Sequence, residues 1–420
     1  MSILLKDVVL DGATVSIRLD KDGISAVAPE LQPLPDEEVF SGESRFAVLP
    51  PFYNTHTHAA MTLLRGFAED MELFDWLSNH IWPAEALLTE EDVYAGSKLA
   101  VTEMIRSGTV WFNDAYWHPE ATLRAVKESG MRAHLGMLYL DGVVNDPETA
   151  NEKLLAAAQG AELVKVSHMP HAIYTVNTPT LQKIAAVMER DGRQLHIHVA
   201  ETAKEVEDCL KAHGKTPVEY LDSLGLISDR AMLAHCVHLT DHDREIIAKR
   251  GAYIAHNPVS NLKLCSGMFD FEAAKAAGCK ITIGTDGCSS NNNLSMLDEM
   301  KCAALTAKTV SGVPTAGKTA DIFRAASATG AEYAGVNIGK IAPGRAADLL
   351  LIDLHKPVLS AGHDLTADMV YAAGSDVIDS VICAGKFLMK HGFIPGEAEA
   401  ADAVREVGKR LRRQLNIGKF

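Results

Sequence analysis

Two histidines one residue apart, His56 and His58 in "YNTHTHAAMTLLRG", close an apolar run "FAVLPPF". Side chains on a strand alternate faces, so a His-x-His pair sends both imidazoles to the same side. Crowded in a dry interior, two imidazoles repel when protonated and are most comfortable as neutral ligands of one metal ion. Among 17 histidines a lone pair of this kind carries little weight. Its company changes that. "QLHIHVAE" places His196 and His198 near a strand end with Glu201 three residues on; "LAHCVH" ends in the region of His235, "AHNPVSN" carries His256, and "GTDGCSS" carries Asp286. His171 follows a further apolar run in "SHMPHAIYTV". His198 is favoured over His196 as a ligand because it lies closer to the strand end, and His196 reads as a deeper, hydrogen-bonded residue. His256 reads equally as a wall of a substrate site or as a structural residue. Lys165 raises a carbamate-bridged two-metal centre, but it sits short of its strand end.

Something must bring these strand ends together. From about residue 46, short β-rich apolar runs alternate with longer segments of helical spacing, the βα pattern of a parallel sheet. Eight strands are predicted: "FAVLPPFY", "TVWFNDAY", "RAHLGMLYL", "LVKVSHMPH", "QLHIHVAE", "AMLAHCVH", "AYIAHNPV" and "KITIGTDG". Eight βα units in roughly 250 residues are the size of a (β/α)₈ TIM barrel, whose loops gather chemistry at the C-terminal ends of the strands. Helix signals fall between them: Thr89-Glu90-Glu91-Asp92 and Thr240-Asp241-His242-Asp243 resemble capping boxes, Thr178-Pro179 puts proline at the first helical position, and Gly108 and Gly251 suit helix C-termini. The chain ends instead read as short strands joined by turns, and neither end could close a core alone. The expected organisation is a small β-sandwich domain built from residues 1–48 and 345–395, a barrel over 49–344, and a C-terminal helix over 396–420.

The 420 residues are 47% hydrophobic and 23% charged, which suits a soluble globular protein with a large core. The N-terminal run is too short for a signal peptide and no run approaches ~18 apolar residues, so a cytoplasmic protein is expected. Seven cysteines without a CxxC pair argue against both a disulfide framework and a thiolate zinc site. A net charge of −15 disfavours nucleic acid and anionic membranes, leaving a small molecule as the expected partner.

The motifs "NTHTHAAMTLLRG", "WPAEALLTEEDV", "HIHVAET", "LAHCVHL", "AHNPVSNLKL" and "IGTDGCSSNN", followed by "GKIAPGRAADLLLID", resemble the amidohydrolase superfamily. The similarity is to the branch of methylthioadenosine/S-adenosylhomocysteine deaminases and their chlorohydrolase-like relatives, and it runs over roughly residues 1–395 with the motifs in order. The resemblance implies that His56, His58, His198 and Asp286 hold one divalent metal, usually zinc (Fe²⁺ or another divalent ion being the alternative), with Glu201 and His235 beside it. It also implies Glu85 as a ligand of ribose hydroxyls, and His171 and Ser290 as substrate contacts. Homo-oligomers are expected for such a fold.

The residue types suit hydrolysis. Metal coordination lowers the pKa of water to about 7, Glu201 can carry a proton to a ring nitrogen, His235 can orient the attacking oxygen, and Asp286 can take the water proton and pass it to a departing amine. The reaction that the resemblance implies is deamination of a 5′-modified adenosine (methylthioadenosine, 5′-deoxyadenosine, S-adenosylhomocysteine or adenosine) to the inosine analogue and ammonia. Trp76, Trp82, Phe74 and Met61 are candidates for an apolar wall. The loop "LDGVVNDPETANE" holds no Arg or Lys to meet a carboxylate, which ranks neutral 5′ groups above S-adenosylhomocysteine, with Arg65 the remaining source of positive charge. Hydrolysis of a free guanine, pterin or triazine ring is the alternative. A non-catalytic scaffold is disfavoured because all four ligand candidates, Glu201 and His235 are present.

Overall fold

The computed structural model describes residues 2–144, 146 and 149–415. Eight parallel strands form the barrel: β1 (Phe52–Thr57), β2 (Thr109–Tyr116), β3 (Arg132–Tyr139), a broken β4 (Val164–Val166 with Met169–Pro170), β5 (Leu195–Val199), β6 (Ala231–His235), β7 (Tyr253–His256) and β8 (Lys280–Ile283). They hydrogen-bond in order from β1 to β4 and from β5 to β8. Bridges His168↔Leu195 and Ala172↔His198 join β4 to β5. The last seam, β8 to β1, is closed by Thr55 donating to the Ile283 carbonyl at 2.9 Å and by the Asp286 amide donating to the His56 carbonyl at 2.9 Å. β2, β5, β6 and β7 are buried along their whole lengths, as parallel strands covered by helices must be.

The run "FAVLPPFY" is two strands, not one. Pro50 and Pro51 have no amide hydrogen to donate, so no ladder runs through them. Phe46–Leu49 belongs to the chain-end sheet and β1 starts beyond the prolines. That sheet is mixed and has eight strands: Ile3–Leu10 pairs with Ala13–Asp20 on one side, Ala13–Asp20 pairs in turn with Gly23–Ala28, and Glu38–Ser41 and then Phe46–Leu49 share the other side of Ile3–Leu10. Leu349–Asp353, Ile378–Cys383 and Lys386–Met389 complete it from the C-terminal half, around a core that includes Leu5, Ile17, Leu19, Phe40, Val48, Leu349 and Leu351. The expected fold class therefore holds: a (β/α)₈ barrel with a small β-domain drawn from both chain ends. Asp348 ties the two, accepting from Tyr53 at 2.9 Å and from Arg132 at 2.9 Å.

Thr89 and Thr240 do close capping boxes with Asp92 and Asp243. The helix Thr178–Asp191 is capped one residue earlier than expected, by the Asn177 side chain accepting from the Thr180 amide. Helix Glu397–Gln414 lies on helix Glu90–Arg106, with Arg410 paired to Asp92 at 2.6 Å. Among the described residues no helix is long and apolar enough to cross a membrane.

The barrel also buries histidines with no partner charge. His134 on β3 packs edge-on against Trp111, and burial, aided by nearby Lys165, pushes its pKa down to about 3. His256 stacks on Phe269 and burial likewise pushes it down to about 3. In the unfolded chain each binds a proton near pH ~6.5. Between that pH and about 3 the unfolded state holds the extra proton, so stability falls as pH falls, by about 1.4 kcal/mol per pH unit for each histidine. His134→Leu should remove one histidine's share of that slope in denaturant unfolding measured from pH 7 to 4; an unchanged slope would show that His134 is not neutral in the fold.

Candidate active site

The strand ends surround a cavity lined by His58, His171, His198, Glu201, His235 and Asp286 on its floor, with Glu85, Ser290 and apolar residues above. Three of the strand ends bend sharply. Ala200, His235 and Asp286 sit at φ 51°, 74° and 62°, left-handed conformations that cost energy for residues with a Cβ. Each bend turns a side chain off its strand and into the cavity mouth.

The imidazoles are oriented from behind. His58 Nδ1 meets the Ala115 carbonyl at 2.7 Å, and His198 Nδ1 meets the His171 carbonyl at 2.7 Å. A carbonyl only accepts, so both rings carry their proton on Nδ1 and offer a lone pair at Nε2. His56 Nδ1 meets His196 Nε2 at 2.7 Å, which gives the deeper His196 the job of fixing its neighbour's ring. His56 Nε2 is buried and has no hydrogen-bond partner, 3.2 Å from Asp286 Oδ1; His58 Nε2 is 3.3 Å from the same oxygen. Ligand atoms of His56, His58 and His198 lie within 4.8 Å of one another, as do those of His56, His235 and Asp286. Buried lone pairs converging on a carboxylate are the donor set of a divalent metal, and these residues fit one. Burial alone would raise the Asp286 carboxyl, but His56 and His58 hold it well below the ordinary range. Its Oδ2 accepts from Ser260 at 2.7 Å and from Ser290 at 2.8 Å.

Glu201 and His235 face each other, Oε2 to Nε2, across 3.8 Å. The amide nitrogens of Asn261 and Asn257 lie 2.9 and 3.3 Å from His235 Nδ1 and can only donate, so the neutral ring carries its proton on Nε2, toward Glu201. Burial raises the Glu201 pKa, and Ser266 donates to its Oε1 at 3.1 Å. Behind it, Glu205 accepts from the Ala200 amide at 2.9 Å and the Glu201 amide at 2.8 Å, one per carboxylate oxygen, and so clamps the bend that presents Glu201.

The outer wall is a helical stretch over 73–85 whose middle, Leu77–Ile81, widens into a π-turn. It carries Trp76, Trp82 and Glu85 to the cavity, and Met61 joins them. Phe74 instead stands against Tyr174, which lines the cavity in its place. Glu85 is buried; Trp117 donates to its Oε2 at 3.2 Å, while Oε1 has no hydrogen-bond partner among the described residues, and burial raises its pKa. His171 lines the cavity with Nδ1 against the Thr175 hydroxyl at 2.8 Å. Ser290 reaches the cavity with its hydroxyl already donated to Asp286. Arg65 pairs with Glu103 and approaches Cys288 Sγ at 3.3 Å, so its charge is committed. Lys165 donates to the Ala334 carbonyl at 2.9 Å and is absent from the cavity lining, and His256 is buried against Phe269. Ser260, Ser266, Asn257, Asn261 and Glu205 went unnoticed in the sequence. Asn257, Ser260 and Asn261 lie within the motif "AHNPVSNLKL", and Glu205 has the Thr-x-x-Glu spacing from Thr202.

Known proteins resemble this chain over most of its length. The family model described as "Amidohydrolase family" matches residues 47–388. A protein of Archaeoglobus fulgidus named 5-methylthioadenosine/S-adenosylhomocysteine deaminase 1 is 45% identical over 377 residues, 88% of this chain and 89% of its own. A 5′-deoxyadenosine deaminase of Methanothermobacter thermautotrophicus is 38% identical over 383 residues, 90% of each chain. Among solved structures, an adenosine deaminase from Xanthomonas campestris with bound zinc superposes with a TM-score of 0.90 at 32% identity, covering 98% of both chains. An atrazine chlorohydrolase from Arthrobacter aurescens complexed with zinc shares the fold, at a TM-score of 0.88 and 19% identity, over 97% of this chain and all of the other. The match of the family model over most of the chain and the identity to these relatives show that the chain belongs to the amidohydrolase family.

Proposed function

We propose that this protein is a metal-dependent deaminase that replaces the 6-amino group of a 5′-modified adenosine by oxygen, consuming water and releasing ammonia. The observation that carries the reading is the convergence of buried, back-braced imidazole lone pairs on Asp286, with Glu201 and His235 facing each other beside them. The names of the relatives support the choice of an adenine nucleoside.

His56, His58, His198 and Asp286 would hold the ion, and a set of three imidazoles and one carboxylate suits zinc in a catalytic site. When bound, the ion supplies a water nucleophile at neutral pH. Glu201, raised toward protonation by burial, delivers a proton to the ring nitrogen next to the reacting carbon, making that carbon electron-poor. His235 donates from Nε2 to the attacking oxygen and fixes its line of approach. Asp286 Oδ1 takes one proton from the water and returns it to the amine, which leaves as ammonia, and the remaining hydroxyl proton goes back to Glu201 as the carbonyl forms. Glu85 offers its unpartnered Oε1 to ribose hydroxyls.

The test is ammonia release and ultraviolet change with metal-loaded protein and methylthioadenosine, 5′-deoxyadenosine, adenosine and guanine. Turnover of the nucleosides is expected; turnover of guanine alone would replace this reading by free-base hydrolysis. Glu85→Ala should raise KM for nucleosides about 10- to 100-fold with kcat nearly unchanged, the loss of charge-assisted hydrogen bonds made equally in ground and transition state. An unchanged KM would remove ribose from Glu85.

A further inference from the structure

Past Glu85 and Trp82, which belong to both walls, the catalytic cavity adjoins an open annex of about 550 Å³. Its apolar walls include Trp82, Leu88, Trp117, Leu140 and Val143. Trp82 is 36% and Val143 66% exposed, a large apolar surface left open in a concavity. The polar groups there are Glu85, Asp141 and His118. Asp141 accepts from the Asn177 amide at 2.7 Å. The stretches that supply these wall residues, 66–97, 107–123 and 133–144, contain no lysine or arginine. The arginines that flank these stretches are committed elsewhere: Arg65 to Glu103, Arg106 to Glu397, Arg124 to Glu91 and Arg132 to Asp348.

We infer that the annex receives the 5′ substituent of the nucleoside and selects a small apolar group, methyl or alkylthio, over one that ends in a carboxylate. The inference rests on the proposed nucleoside reading. A nucleoside with its base over Asp286 and its diol at Glu85 spans the shared wall, and whatever extends beyond C5′ enters the annex. An alkylthio group there trades water for contact with Trp82, Trp117 and Leu140. A carboxylate loses its hydration, finds no bidentate guanidinium, and meets two acids. An amino-acid tail could set its ammonium against Asp141, but its carboxylate stays unpaired.

The experiment measures kcat/KM of the metal-loaded enzyme for 5′-methylthioadenosine, 5′-deoxyadenosine and S-adenosylhomocysteine, in the native chain and in Val143→Arg, an exposed position where the substitution is tolerated. The two neutral substrates should exceed S-adenosylhomocysteine by roughly 100-fold or more. Val143→Arg should raise the ratio of kcat/KM for S-adenosylhomocysteine to that for 5′-deoxyadenosine about tenfold. Comparable turnover of all three by the native chain, or no rise of that ratio in the variant, overturns the inference and leaves the nucleoside reading intact. No turnover of any of the three overturns the nucleoside reading itself, and the inference with it.

Discussion

Asp286→Asn should lower kcat by about 10³-fold or more, and the loss should persist at saturating metal. The substitution preserves shape, and asparagine tolerates the left-handed backbone at this position, so the fold survives it. What changes is charge and basicity. The carboxylate sits 3.2 and 3.3 Å from the imidazoles of His56 and His58 and accepts from two serines, so its oxygens are fully engaged. A neutral amide weakens the grip on a cation and takes no proton from water. Titration with zinc, followed by metal stoichiometry and kcat at saturation, separates the two effects. Recovery to within tenfold of the native rate once metal is restored would reduce Asp286 to a ligand and move the proton step elsewhere.

The groups at this centre were readable because a barrel rule reduces the problem to strand ends. His56, His58, His198, His235 and Asp286 each follow a β-rich run, and parallel strands deliver their C-terminal ends to one face. Strand boundaries were less legible. The hydrophobicity of "FAVLPPFY" continues across Pro50 and Pro51, and only the missing amide hydrogens reveal that it feeds two different sheets. The supporting polar groups were illegible for another reason: Ser260 and Ser266 lie in loop and short-helix segments without a period, where a serine that braces a carboxylate has the same local sequence as one that faces water. Glu205 is the instructive case. Thr202 and Glu205 have the spacing of a capping box, which predicts that the glutamate reaches back to the Thr202 amide. Its carboxylate instead reaches the amides of Ala200 and Glu201, because the left-handed turn at Ala200 points those donors inward. The local spacing marks the helix start at Thr202, whereas the tertiary bend decides what the Glu205 side chain does.

Glu201→Gln should lower kcat by about 10³-fold with little change in KM and none in bound metal, which sets it apart from Asp286→Asn. Glutamine keeps the volume and can still accept from Ser266, so the cavity wall stays in place. The amide neither gives nor takes a proton. In the native enzyme burial raises the carboxyl above its ordinary value, which keeps a deliverable proton on Glu201 to higher pH than an exposed glutamate would hold it. The rate should therefore fall as pH rises through that raised pKa, and this fall should be missing from the residual activity of the glutamine variant. The distance from Glu201 to His235 matters here. At 3.8 Å the two groups do not hydrogen-bond directly, so each is free to address a substrate atom lying between them. A glutamine variant that keeps more than a tenth of the native kcat, or that retains the same pH limb, would assign the proton delivery to another group, and the pairing of Glu201 with His235 would then be structural.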